Sequence, residues 1–134
     1  MLELALDADL SALATMADAV EGYAAVAGVP AERAMQLVVA LDEILTNIAT
    51  HGGLRPEDTI AVTVEAAAGV LHAVVEDPGP PFDPLRDAPP PMLSGSVAER
   101  PIGGLGLHIA RTLAQRIDYE RRDGRNRLSL AMPP

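Results

Sequence analysis

Apolar residues recur with two different periods along this chain, and the two periods predict its strands and helices. Every second residue is apolar or small in "LELALD" near the start, in "TIAVTVE" and in "VLHAVVED". These stretches predict strands at 2–7, 59–65 and 70–77, because alternate side chains of a strand point to opposite faces. Gly69 marks a tight connection between the second and third strands. Near the end, "DYERR" and "RLSLAM" flank an "RDGRN" turn and predict a closing hairpin.

Three other stretches have the helical period, and they predict helices at about 10–27, 30–52 and 105–116. Asp7 or Asp9 can cap the first helix, and Gly28 can end it. Pro30 fits the first turn of the second helix, and Gly52 fits its C-terminal end.

The order of these elements predicts the fold class. Residues 78–101 contain eight of the twelve prolines, so they are expected to form a long loop, and loops of this length in compact domains are commonly lids or binding loops. The expected fold is an α+β two-layer sandwich, with three helices on one mixed, mostly antiparallel sheet. The 134 residues are expected to form a single domain, 1–134, with a lid at about 78–104.

Composition and charge exclude several functions. The net charge is −9 and all ten basic residues are Arg, so binding to a nucleic-acid backbone is not expected. Without Lys the chain lacks the phosphate-binding residue of a P-loop and the amine of a Schiff-base enzyme, and without Cys it has no disulfide or thiolate metal site. No leader peptide or membrane-spanning run is visible in the sequence, so a cytoplasmic location is expected.

One stripe of the second predicted helix carries unusual chemistry. Within "DEILTNIATHGG", Glu43, Asn47 and His51 are four residues apart and therefore share one face. An ordinary polar helix face is one interpretation. However, Asn is a mediocre helix former, its amide oxygen is a suitable ligand for Mg²⁺, and a Glu one turn earlier can act as a general base.

Two loops carry further candidate residues. In "VEDPGPPFDP", Asp77 leaves the end of a strand, where its carboxylate can accept a hydrogen bond from an exocyclic amine such as that of adenine, and Gly79 permits close approach of a ligand. The glycines of "GGLG" (103–106) precede the third helix and can offer free amides to a phosphate. An Asp-Pro-Gly turn and a flexible connector are the plainer alternatives. The arginines at 121–127 are interpreted as a solvated hairpin, with contact to an acidic partner as the alternative.

The three motifs together are more specific than any one of them. Glu-x-x-x-Asn on a helix, Asp-x-Gly after a strand and Gly-Gly-x-Gly before a helix, in this order, resemble the ATP-binding fold of the GHKL superfamily. The resemblance covers nearly the whole chain. The segments "DPGPPFDP", "ERPIGGLGLHIAR" and "DYERRDGRNRLSL" are most similar to the bacterial anti-sigma-factor serine/threonine kinases.

The resemblance implies a role for each matching residue. Glu43 matches the general base and Asn47 the Mg²⁺ ligand. Asp77 matches the carboxylate that recognises adenine, with Gly79 beside it, and Ser129 matches a hydroxyl placed near the adenine. The residues that match the lid on the phosphates are Gly103, Gly104, Leu105 and Gly106. The chain departs from many relatives at Pro81, where they have a second glycine, so the adenine-side contact of that position is open.

The function implied by the resemblance is a protein kinase that uses ATP and Mg²⁺. It would phosphorylate an anti-anti-sigma factor of the STAS type, bind a sigma factor as an anti-sigma factor, and act as a homodimer, without direct contact to nucleic acid or membrane. A nucleotide-sensing module that switches partners without catalysis is the alternative. The ATP-binding domain of a histidine kinase is a less favoured one, because the first predicted strand starts at Leu2 with no phosphoacceptor helices before it.

Overall fold

A computed structural model of the chain describes residues 1–87, 110–112 and 114–134. Two helices and five strands are assigned within these residues. In chain order they are β1 (Leu2–Asp7), α1 (Leu13–Val26), α2 (Ala31–His51), β2 (Thr59–Ala67), β3 (Val70–Asp77), β4 (Arg116–Arg122) and β5 (Arg125–Ala131). Residues 110–112 are also helical and belong to the predicted third helix.

The five strands form one sheet in the order β1-β2-β3-β5-β4, and all four neighbouring pairs of the described strands are antiparallel. Two-residue turns fix the register of both hairpins. Ala68 (φ 52°) and Gly69 (φ 78°) join β2 to β3, and Asp123 (φ 53°) and Gly124 (φ 75°) join β4 to β5. Paired positive φ angles are typical of type I′ turns, whose twist matches that of the strands.

One face of the sheet packs against α1 and α2, and the core lies between the two layers. The fully buried residues of α2 recur at helical spacing, and those of β2 and β3 alternate along each strand. Burial of a Leu or Ile side chain stabilises the fold by about 1.5–3 kcal/mol. Tyr23 of α1 strengthens the junction of the layers, because its hydroxyl accepts a hydrogen bond of 3.0 Å from the backbone N–H of Ala66.

The α+β two-layer fold predicted from the sequence is confirmed, and α2 has nearly the predicted bounds. The predicted start of the first helix was wrong. Leu10 has a φ of 62°, which interrupts the helical path, and α1 begins three residues later. Asp9 does not cap the helix: its Oδ1 accepts a hydrogen bond of 2.9 Å from the N–H of Ser11, which lowers the pKa of Asp9.

The predicted C-terminal end of the third helix was also wrong. Arg116 is the first residue of β4, and the N–H of Gln115 already donates to the carbonyl of Ala131 in β5 at 2.8 Å. Residues 105–109 and 113 of the predicted helix lie outside the described part of the chain. None of the described helices combines the length and the apolar character that a bilayer crossing requires.

Candidate functional site

The C-terminal end of α2 meets the loop that follows β3, and this contact locates the candidate site. A Cβ atom on Gly79 would lie 2.9 Å from the carbonyl oxygen of Gly52, and a Cβ on Gly53 would lie 3.0 Å from Cγ of Pro80. Gly53 also has a φ of 71°. The backbone of Gly79 therefore packs on the backbone of Gly52, Gly53 packs on the ring of Pro80, and glycines make both approaches possible.

Asp77 is the last residue of β3, and its carboxylate is held inside this junction. The residue is 1% exposed. Its Oδ1 accepts hydrogen bonds from the N–H of Gly79 at 2.9 Å and from Nδ2 of Asn126 at 3.0 Å. A buried polar group without a partner costs about 1–3 kcal/mol, and a charged group costs more. The two donors therefore stabilise the carboxylate in this buried position.

Asn126 lies directly opposite Asp77 in the β3–β5 register and is 3% exposed. Its Nδ2 also donates to the carbonyl of Pro80 at 2.8 Å, while its Oδ1 accepts from the N–H of Phe82 at 3.0 Å and from the hydroxyl of Tyr119. The amide thus links β3, its loop and β4. Sequence reasoning missed this residue, although a polar side chain in phase with the buried Leu128 and Leu130 was a usable signal.

Arg121 of β4 reaches the same loop. Its Nη1 donates to the carbonyl of Gly79 at 2.7 Å and to Oδ1 of Asn126 at 3.2 Å. Arg125 and Arg127 instead pair with Glu76 on the other face of the sheet. Arg121 is exposed, as the interpretation of a solvated hairpin expects, but its guanidinium also contacts the loop of the candidate site.

The stripe of α2 ends at this junction. Glu43 and Asn47 are half-buried, and His51 is exposed at the last helical residue. Asn47 precedes Gly52 by five residues, roughly 7 Å along a helix. Its Nδ2 is buried, and no hydrogen-bond partner for it exists among the described residues. An unsatisfied buried amide in a native fold calls for an explanation, and a ligand is one.

Ser129 is not brought to Asp77. In β5 it pairs with Val74 and Asp118, and all three line a cavity of about 520 Å³ on the sheet face that α1 and α2 leave open. Directly opposite residues of antiparallel strands share a face, and successive residues of one strand alternate between faces. Ser129 and Asn126 are three positions apart in β5 and therefore point to opposite faces. The assignment of Ser129 to the adenine side is therefore corrected, and Asn126 is the β5 side chain that contacts Asp77.

The phosphate end of the expected site is only partly described. The lid residues Gly103, Gly104, Leu105 and Gly106 lie outside the described residues. The first part of the lid is described as far as Asp87, and Phe82 is buried in the core there. Residues 1–87, 110–112 and 114–134 include no group of three or more His, Cys, Asp or Glu side chains arranged to hold a metal ion.

Similarity to known proteins identifies the family of this chain. Residues 6–132 match the family model described as the histidine kinase-like ATPase domain. The chain is also 32% identical over 96 residues to the serine/threonine-protein kinase BtrW of Bordetella bronchiseptica, a match that covers 70% of this chain and 66% of that protein, slightly under two thirds of its length. The chain belongs to the histidine kinase-like ATPase domain family.

Proposed function

We propose that this domain binds ATP with Mg²⁺ and transfers the γ-phosphoryl group to a Ser or Thr side chain of a partner protein. The observation that carries the proposal is the buried carboxylate of Asp77, fixed by Asn126 in a loop that packs on the end of α2. Membership of an ATPase domain family and similarity to a protein named as a serine/threonine kinase support it.

The base of the nucleotide is recognised by Asp77 in this proposal. Gly79 N–H and Asn126 Nδ2 both donate to Oδ1, so the carboxylate is oriented and serves as an acceptor. The exocyclic amine of adenine is a donor and satisfies an acceptor, whereas guanine presents a carbonyl oxygen at the corresponding position. Guanine would place that oxygen against the carboxylate where adenine places a donor, and a site built to accept a hydrogen bond discriminates strongly against such a base.

The metal is proposed to be held by Asn47 and the phosphates. Nδ2 of Asn47 is buried and has no hydrogen-bond partner among the described residues. The nitrogen and oxygen of an Asn amide have nearly the same shape, so a rotated amide would present at this position the oxygen that Mg²⁺ prefers. When bound, Mg²⁺ neutralises charge on the phosphates. The amides of Gly103, Gly104, Leu105 and Gly106 are proposed, from the sequence motif, to hold the same phosphates.

Glu43 is proposed as the general base. It lies one helical turn before Asn47 on the same stripe of α2, so a carboxylate and a metal ligand face the same side. In phosphoryl transfer the hydroxyl oxygen of the partner forms a bond to the γ-phosphorus, and the carboxylate accepts the proton of that hydroxyl. The bond from the γ-phosphorus to the bridging oxygen breaks, and ADP leaves with that oxygen.

The partner is proposed to be an anti-anti-sigma factor of the STAS type, and the domain is proposed to bind a sigma factor and to act as a homodimer. The support is the likeness of "DPGPPFDP" and "ERPIGGLGLHIAR" to the anti-sigma-factor kinases. Together these roles describe a partner-switching regulator of transcription.

The proposal is tested with purified protein in two measurements. Calorimetry with ATP and with GTP, with and without Mg²⁺, on the parent and on Asp77→Asn, tests recognition of the base. We expect ATP binding in the parent and a loss of roughly 10-fold or more in the variant. Transfer of label from γ-³²P-ATP to a STAS-type partner tests catalysis. ATP binding without transfer to any such partner would instead support the non-catalytic module.

A further inference from the structure

The loop from Pro78 to Phe82 has few backbone N–H groups that could form hydrogen bonds within the loop. Pro78, Pro80 and Pro81 have no N–H group to donate. Gly79 and Phe82 of the loop are nevertheless buried, so their backbone groups need hydrogen-bond partners, and carbonyls need donors from another part of the chain.

Side chains of the β4–β5 hairpin supply those donors. The carbonyl of Gly79 accepts from Nη1 of Arg121 at 2.7 Å, and the carbonyl of Pro80 accepts from Nδ2 of Asn126 at 2.8 Å. The N–H of Phe82 donates to Oδ1 of Asn126 at 3.0 Å. Nδ2 of Asn126 also lies 3.5 Å from the carbonyl of Gly79, and the N–H of Gly79 donates to Asp77 itself.

The orientation of the Asn126 amide is fixed by its surroundings. Its oxygen faces three donors: Phe82 N–H, the hydroxyl of Tyr119 and the guanidinium of Arg121. A rotated amide would turn its NH₂ group against the N–H of Phe82 and the guanidinium of Arg121, which cannot accept, so only one orientation is tolerated. Nδ2 therefore faces Asp77 and stabilises the carboxylate as an acceptor.

We infer that Asn126 and Arg121 are positioning residues that hold loop 77–82 in the conformation in which Asp77 recognises adenine, so that the β4–β5 hairpin sets selectivity for the base. The inference rests on the proposed binding of ATP. It assigns neither residue a contact with the nucleotide. Both act through the loop and through Asp77.

Arg122 provides a matched control. It is the next residue of β4, points to the opposite face of the sheet and has a 66% exposed side chain whose Nη1 lies 3.7 Å from Oε1 of Glu120. Removal of its charge changes the net charge as much as removal of the charge of Arg121, but leaves the loop contacts in place.

The test compares the affinities for ATP and GTP, by competition with a labelled nucleotide, in the parent, Arg121→Met, Arg121→Lys, Arg122→Met and Asn126→Ala. We expect Arg121→Met and Asn126→Ala to weaken ATP binding roughly 10-fold and to lower the ratio of ATP to GTP affinity. Arg121→Lys keeps a donor for the carbonyl of Gly79 and should restore most of the ratio. Arg122→Met should equal the parent.

Thermal unfolding of each variant separates positioning from loss of fold. If Asn126→Ala does not fold, the exposed Arg121 series still decides the question. A folded Arg121→Met protein with the ATP-to-GTP ratio of the parent would overturn the inference while leaving the proposed function intact. So would Arg122→Met and Arg121→Met proteins with equal losses. A parent protein that binds no nucleotide would overturn the proposed function and the inference with it.

Discussion

The carbonyl oxygen of Gly52 lies 2.9 Å from the position that a Cβ atom on Gly79 would occupy. Asp77 Oδ1 and Leu54 Cδ2 each lie 3.0 Å from the same position. Protein atoms fill the space that a Cβ on Gly79 would occupy, while close approach of a ligand to Gly79 stays a prediction. The residue is therefore needed for the junction between α2 and the loop.

Gly79→Ala should destabilise the protein by about 1–3 kcal/mol, because backbone atoms must move to admit the methyl group. It should also weaken ATP binding, since the methyl group presses on Asp77. Denaturant unfolding and calorimetry measure the two effects. Gly22→Ala is the control: it lies in α1 with no atom within 4 Å of its added Cβ and should stabilise the protein by about 0.5–1 kcal/mol. Equal stability of Gly79→Ala and the parent would contradict the packing argument.

Asn47→Leu should change stability and nucleotide binding in opposite directions. Replacement of a buried amide whose Nδ2 has no partner in the described chain removes an unsatisfied polar group that costs about 1–3 kcal/mol. The unfolding temperature without nucleotide should therefore rise, while the further rise on addition of Mg²⁺ and ATP should disappear. Asn47→Asp keeps an oxygen ligand and should keep the Mg²⁺-dependent rise. A Leu variant with the full nucleotide-dependent rise would remove Asn47 from the metal site.

Glu43→Gln should retain ATP binding and lose phosphoryl transfer by about 10²–10⁴-fold, the usual contribution of a positioned general base. The amide has nearly the same shape as the carboxylate but cannot accept the proton. Single-turnover transfer from labelled ATP gives the rate. Asp42→Asn, one residue earlier and exposed on α2, makes the same charge change away from the stripe and should transfer at the rate of the parent. Equal rates in both variants would exclude Glu43 as the base.

Ser129→Ala should leave ATP affinity and stability within about 0.5 kcal/mol of the parent, because Ser129 lies on the open face of the sheet. This variant decides between two assignments for β5. A loss of ATP affinity comparable to that of Asp77→Asn would return Ser129 to the adenine side and would contradict the strand register.

The sequence was sufficient for the fold class and for one side of the candidate site. Strong periodicity predicted α2 to within one residue at each end, and the Asp-x-Gly motif indicated Asp77. The start of α1 was predicted too early, because the apolar pattern continues through Leu10 while the backbone there takes a positive φ. Periodicity reports which side chains are buried and does not report local dihedral angles.

Asn126 could not be assigned to the site from the sequence, because it is far from Asp77 along the chain. Asp77 and Asn126 are 49 residues apart, and no local pattern shows that β5 lies beside β3. The face of Ser129 could have been inferred, since its alternation with Leu128 and Leu130 puts it opposite the core. The role of Asn126 could be seen only in the structure, where this core position of β5 donates a hydrogen bond to Asp77.

The three prolines of the loop make its shape depend on a distant strand pair. Transplanting 77–82 into a related domain would carry the acidic group but leave behind the amide and guanidinium that shape it. Anyone redesigning this protein for another purine should therefore alter 121 and 126 together with 77. Among homologues, proline-rich versions of this loop are expected to coincide with hydrogen-bond donors at those two hairpin positions.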